Sequence, residues 1–155
     1  MRTNTDRIIA LMIAFTANQL AFLQAQRAGR LATATSDGAP HVIPVCYACD
    51  GASLYIALDA KPKRVAPERL RRIRNILANP RVALVIDRYS DDWSQLAYLL
   101  IQATAVLIPP GQAEHSRAVA LLRERYVQYL AMPIEQQPVI AIRPTAVVEW
   151  PRSDL

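Results

Sequence analysis

Glycine is scarce in this chain, with four in 155 residues. That argues against the glycine-rich turns that cradle phosphate, and neither a Gly-x-Gly-x-x-Gly nor a Walker loop occurs. No Gly-x-Ser-x-Gly nucleophile elbow occurs either. Cysteine is scarcer still: Cys46 and Cys49 are too few for a disulfide framework, and a reducing cytoplasm is the expected compartment. Long hydrophobic runs are missing. The apolar stretch at 8–17 is ten residues, against roughly twenty for a bilayer span, so no membrane partner is expected. Aromatic residues make up only 6%, so the core must be aliphatic. The two histidines, His41 and His115, have no further ligand at metal spacing, and no metal site is expected.

The few glycines fall at breaks. Asp37-Gly38 and Asp50-Gly51 separate β-rich runs, and such pairs signal hairpins because the turn needs positive φ. Residues 30–59 therefore predict a three-stranded antiparallel meander. Before it, 18–28 reads as a helix stopped by Gly29. After it, Pro67-Glu68 opens a helix to about Ala78, with Leu70, Ile73 and Ile76/Leu77 on one face. Strands are predicted over 81–88 and 96–108, and a helix over 112–130. Two short strands, 139–142 and 146–150, are separated at Arg143-Pro144. About six to seven antiparallel strands with flanking helices predict a mainly β barrel whose ends the helices plug. One domain, 18–155, is expected. Residues 1–17 form an N-terminal extension, read as a helix packed on the barrel or as a leader before Met12.

Charge is uneven. The net charge is +5. Residues 61–74 hold seven of the eighteen basic side chains: Lys61, Lys63, Arg64, Arg69, Arg71, Arg72 and Arg74. The chain uses arginine everywhere else, yet both of its lysines sit in Lys61-Pro62-Lys63. Compact ammonium groups beside a strand end suit a phosphate, with arginine adding a fork. The competing reading is a solvated basic turn. Asp59 belongs either to the same site or to a structural pair with the lysines. Nucleic acid is disfavoured, because no aromatics interleave the basic helix for stacking.

Cys46-Tyr47-Ala48-Cys49 ends a strand. Residues three apart on a strand face opposite sides, so a dithiol redox pair is disfavoured. Trp93 closes the polar stretch 87–93. It either covers a flat ring or anchors its loop in the core.

Two further runs add a resemblance. Residues 29–34 (GRLATA) lead through Asp37-Gly38 to Pro40-His41-Val42-Ile43-Pro44-Val45. Lys61-Pro62-Lys63-Arg64 precedes Asn75-Ile76-Leu77-Ala78-Asn79-Pro80-Arg81-Val82. Together these resemble the pyridoxamine-phosphate-oxidase-like split β-barrel families over about residues 22–150. With Asp91-Asp92-Trp93 the likeness is nearest to the deazaflavin (coenzyme F-420)-dependent branch. The resemblance implies a homodimer with FMN or coenzyme F-420 in a groove between subunits. Backbone near Thr33, Pro44, Val45 and Cys46 would flank the ring. Lys61, Lys63 and Arg64 would hold phosphate, with Asp59 beside them and Asn75 supporting the loop. Trp93, from either subunit, would close the groove. The implied activity is hydride transfer between the cofactor and a small conjugated substrate. The alternative is a non-catalytic protein that binds or sequesters FMN or deazaflavin. No catalytic acid–base pair is evident in the sequence.

Overall fold

A computed structural model describes residues 13–58 and 66–152. Helix α1 (Ala17–Ala25) comes first, then strands β1 (Gly29–Ala34), β2 (Pro40–Val45), β3 (Ala48–Cys49) and β4 (Leu54–Ala57). Helix α2 (Arg71–Ala78), β5 (Arg81–Arg88), β6 (Ala97–Ile108), α3 (Ala113–Arg125) and β7 (Val139–Trp150) complete the order. All pairings are antiparallel in one seven-stranded sheet, ordered β2-β1-β5-β6-β7-β4-β3. The two edges, β2 and β3, are separated in sequence by Cys46 and Tyr47 alone. The sheet must therefore curl until its edges meet at that corner. The result is a split half-barrel.

Several sequence expectations change. The meander at 30–59 is two separate hairpins, β1–β2 and β3–β4, at opposite edges of the sheet. The run 40–48 breaks at Cys46-Tyr47 because the fully buried Tyr47 ring turns into the core, while β5 takes the free side of β1. The two predicted C-terminal strands are one. Across Arg143-Pro144 the register steps from Ala103↔Pro144 to Gln102↔Ala146, leaving Thr145 as a bulge residue. The bulge accommodates a proline that has no N–H to donate. The Thr145 hydroxyl donates to the Gln102 carbonyl at 3.2 Å. Gly29 is not a helix stop, since α1 already ends at an extended Gln26. It opens β1, where a Cβ would meet Ile86 Cγ1 at 3.0 Å and the Val85 carbonyl oxygen at 3.2 Å. The helix predicted over 112–130 stops at Arg125 and continues as a 3-10 turn, Val127–Ala131.

Alternation along the strands builds two cores. Leu31, Leu54, Ile56, Leu84, Ile86, Leu99, Ile101, Ile140 and Ile142 fill the barrel, with Leu23 of α1 and Ile73 and Ile76 of α2 closing it. The other faces of β4 and β7 bury Tyr55, Ala57, Val139 and Ala141 against Ala118, Val119 and Leu122 of α3. With buried neighbours on both faces, Val139–Ile142 is a continuous apolar run. The two cysteines divide between these layers, Cys49 against the barrel core and Cys46 against the α3 layer. Burial pushes the Cys49 thiol up to about 11. A thiolate pair is thereby disfavoured.

A polar clasp holds the corner where the edges meet. Tyr126 Oη, at the end of α3, accepts from the Tyr47 backbone N–H at 3.0 Å and from Arg125 Nε at 3.0 Å. It donates to the Tyr47 carbonyl at 2.7 Å, with the Arg27 carbonyl at 2.9 Å as a second acceptor. Tyr47 Oη donates to the Leu23 carbonyl at 2.6 Å. Arg125 Nη2 donates to the carbonyls of Leu23, at 3.0 Å, and Gln26. The guanidinium thus supplies donors to the end of α1, where carbonyls lack helical partners. It also lies over the Tyr47 ring at 5.0 Å. Tyr126→Phe removes the one acceptor that serves the buried Tyr47 N–H. The expected loss is about 1–3 kcal/mol, read as a lower urea midpoint with an unchanged m-value.

Candidate functional site

The sequence-predicted residues are gathered in part. Thr33 lies on the inward face of β1 and is 3% exposed. Its Oγ1 accepts from Asn75 Nδ2 at 3.0 Å, and Asn75 on α2 is 4% exposed. One helical turn later, Asn79 Nδ2 donates to the Thr35 carbonyl at 3.4 Å. Asn75 of α2 and Asn79, the residue that caps its C-terminus, therefore tie the helix to Thr33 of β1 and to Thr35 just beyond the strand. This is the physical content of the Asn-x-x-x-Asn-Pro spacing.

Across the β1–β2 ladder, His41 stands opposite Thr33. His41 Nδ1 is sealed from solvent and has no hydrogen-bond partner among the described residues. Further along β2, Val45 points into the barrel and Pro44 is exposed on the other side. Cys46 is half-buried beyond the strand end. β2 is an edge strand, so one side of its backbone ladder has no strand partner. Asp59, Lys61, Lys63 and Arg64 lie outside the described residues. They fall between the buried Leu58, after β4, and the turn Pro67–Arg69 entering α2.

Trp93 sits in the 3-10 turn Trp93–Gln95 and is 72% exposed, so it does not anchor its loop in the core. Asp92 shapes this turn, accepting from the Ser94 N–H at 3.0 Å and the Ser94 hydroxyl at 2.7 Å. Near the same end of the sheet, Tyr98 and Trp150 stack with ring centroids 6.1 Å apart. Tyr98, Val148 and Trp150 are 38, 51 and 46% exposed on the outward face of β6 and β7. Arg30 and Asp87 pair at 2.6 Å across β1 and β5.

A second constellation escaped sequence reading, because its members are far apart in the chain. Tyr55 Oη lies 2.9 Å from Asp50 Oδ2 and 2.9 Å from Glu114 Oε1. One phenolic proton serves two carboxylates in turn. Arg143 completes the set, donating to Glu114 Oε1 at 2.5 Å and Oε2 at 3.0 Å, and to Ser53 Oγ at 3.2 Å. Hydrogen bonding from Arg143 holds the Glu114 carboxyl below its ordinary range. Burial alone would raise Asp50, but donors from Ser53, Ala52 and Tyr55 outweigh it and hold Asp50 low. Burial, with both carboxylates as neighbours, pushes the Tyr55 phenol up. Asp50 and Tyr55 also line a groove of about 580 Å³ between α1, α3 and the β3–β4 turn. Among the described residues no group of three side chains could hold a metal ion, and no helix is long and apolar enough to cross a membrane.

The strand order and the curled sheet define the class as a split β-barrel. The pyridoxamine 5'-phosphate oxidase family model matches residues 15–151, and the chain belongs to that family. It is 34% identical over 101 residues to a 5a,11a-dehydrotetracycline/5a,11a-dehydrooxytetracycline reductase of Streptomyces rimosus, covering 64% of this chain and 68% of that one. Among solved structures it resembles an F420 reductase with a TM-score of 0.60 and 26% identity, over 83% of this chain and 94% of the other. It also resembles HutZ, the heme storage protein of Vibrio cholerae, with a TM-score of 0.69 and 15% identity, over 88% and 94%.

The carboxylate cluster generates a pH dependence. Asp50 and Glu114 have depressed folded-state pKa values. Their stabilisation is complete above the ordinary carboxylate range and is lost as pH falls through the folded values. Glu114→Gln is expected to lower stability at pH 7 and to flatten the decline below about pH 4. Urea midpoints measured from pH 3 to 7 check this. An acid limb parallel to wild type would sink it.

Proposed function

We propose that this chain is an oxidoreductase that uses a flavin-type cofactor, FMN or the deazaflavin coenzyme F-420, and works on a small conjugated organic substrate. The observation that carries this reading is the 34% identity to a reductase, within a family match spanning residues 15–151. The likeness to an F420 reductase favours the deazaflavin. When bound, the ring supplies the hydride chemistry, and the protein supplies orientation and electrostatics.

The residues at the Thr33–Asn75 corner fit such a group. An edge strand offers unpaired backbone groups to the rim of a ring, at Pro44, Val45 and Cys46. A sealed, unpartnered imidazole nitrogen is an unfilled polar contact at the same corner. Lys61, Lys63 and Arg64 hold the phosphate in this reading, with Asp59 beside them. The Asn75–Thr33 bond fixes the helix that comes after them. Trp93 of the partner subunit covers the groove.

The assembly is a homodimer through the outward faces of β6 and β7, where Tyr98, Val148 and Trp150 are partly exposed. An apolar sheet face of this kind calls for a cover. Val148→Arg is expected to give a monomer on gel filtration and to lose cofactor affinity, because the groove needs both subunits. A dimer of unchanged size would refute this interface.

Lys61→Ala with Lys63→Ala is expected to weaken binding of the preferred cofactor by about 3 kcal/mol, roughly two orders of magnitude in Kd. Fluorescence titration with FMN and with F-420 reads this, and unchanged affinity removes the assigned role. Steady-state assays with reduced cofactor and a panel of acceptors test the activity. Tight binding without turnover for any acceptor would favour the non-catalytic, sequestering alternative.

A further inference from the structure

The groove between α1, α3 and the β3–β4 turn plays no part in the reading above. Its volume, about 580 Å³, falls in the range that holds a small organic molecule. Leu20 of α1 and Leu121 of α3 give it apolar walls, and the small Ala120 leaves room between helix and solvent. Both leucines are only half-buried, so their apolar surface is open to whatever enters.

Its charge runs against that of the chain. Lysine and arginine number 18 and the acids 13, yet Asp50 and Glu124 face the groove against Arg117 alone. Arg117 also serves Glu114, whose carboxyl it helps to hold low. Neither groove acid forms an ion pair among the described residues. Asp50 is bonded to neutral donors: the Ala52 and Ser53 N–H groups reach Oδ1 at 2.9 and 2.7 Å, and the Tyr55 hydroxyl lies 2.9 Å from Oδ2. That hydroxyl has one proton, which it shares with Glu114. Oδ2 therefore keeps acceptor capacity for a further donor. Glu124 is exposed and makes no hydrogen bond within the described residues. Glu114 shows the contrast, since Arg143 binds both of its oxygens.

We propose that this groove binds a small organic cation, an alkyl or aryl ammonium, whose charged end meets Asp50 and Glu124 and whose apolar body lies against Leu20 and Leu121. The ammonium N–H groups supply the donor that Oδ2 of Asp50 can still accept, in the stronger charge-assisted form. An anion of the same shape is repelled, and a neutral molecule gains the apolar contact alone. The groove uses no residue assigned to the cofactor, so the inference stands apart from the flavin-type reading.

The test keeps one apolar body and changes its charge. Phenethylammonium, phenethyl alcohol and hydrocinnamate are titrated at pH 7 and low salt into the full-length 15N-labelled chain, and backbone amide shifts map the site. The ammonium is expected to shift Gly51, Leu121 and Glu124 in a saturable way. The alcohol is expected to bind about tenfold more weakly, on the scale of two partly exposed ion pairs, and the carboxylate more weakly still. Glu124→Gln breaks no bond within the described fold and is expected to raise the Kd of the ammonium about threefold. Ala120→Trp fills the groove from its exposed side and is expected to weaken ammonium and alcohol alike, by about tenfold or more. Asp91→Asn, on the exposed β5–β6 loop, should leave both unchanged. Thermal unfolding of each variant guards against a folding defect. Equal affinity for ammonium and alcohol, an unchanged Kd in Glu124→Gln, shifts centred away from the groove, or no saturable shift at all would each overturn the proposal.

Discussion

The clasp of Tyr47, Arg125 and Tyr126 is the interaction on which the rest of the structure depends. A seven-stranded sheet can lie open or curl, and strand pairing alone does not choose. Here two residues carry the chain from one edge to the other, and Tyr47 is one of them. Its backbone N–H and carbonyl both bond to the Tyr126 hydroxyl. Its own hydroxyl reaches the end of α1. Arg125 reaches the same carbonyls and lies over the tyrosine ring. Burial pushes the Tyr47 phenol up, so it stays a neutral donor. Three segments that are distant in sequence thus meet at one buried corner. Fixing that corner fixes the curl, and the curl gives the strands an inside.

The two cores are consequences of the curl. β4 and β7 are the strands with something to bury on both faces, the barrel core on one and α3 on the other. The corner also sets the end of β2, and with it the edge-strand backbone at Pro44 and Val45 in the proposed cofactor site. On the far side of β1, Asn75 and Asn79 pull α2 onto Thr33 and Thr35. The proposed site is therefore held from two directions, by an aromatic–guanidinium clasp and by an asparagine staple. Neither uses a residue assigned to ring or phosphate contact except Asn75 and Thr33. Those two are spent on each other, so their side chains shape the site more than they touch a ligand.

Much of this was legible in the sequence. Strand β5 has the predicted bounds because alternation from Arg81 to Arg88 is strict, and its inner residues Val82, Leu84 and Ile86 are all buried. The Asp-Gly pairs marked real hairpins, and Gly38 and Gly51 have positive φ. What failed was pairing beyond neighbours. Nothing local tells β2 that its next strand in sequence belongs at the opposite edge. The proline break at Pro144 misled for a similar reason, since a bulge can absorb a proline when the partner strand continues. The start of α1 is legible to within one residue, 18 against Ala17, although its cap was not read and the helix ends at Ala25 rather than 28. Thr16 and Gln19 form a reciprocal cap, with bonds of 3.0 and 3.2 Å. That spacing is a recognised signature of a helix N-terminus. The Asp50–Tyr55–Glu114–Arg143 cluster was not readable, because only the fold brings Glu114 and Arg143 to the β3–β4 turn.

That cluster bears on which part of the surface an anionic ligand visits. Its two carboxylates are held ionised by donors, and Asp50 lines the 580 Å³ groove together with Glu124. An ionised carboxylate in a groove repels phosphate. Arg117 lines the groove too, but it stands alone against both acids. The basic segment at 61–74 carries seven cations against Glu68 alone. The cationic excess is thus concentrated in one stretch of the sequence, while the groove is lined by two acids and one arginine. On the proposed reading, these carboxylates would turn a phosphorylated ring away from the groove. On that proposal the sign of the field around a groove, more than its volume, bears on where an anionic cofactor would sit.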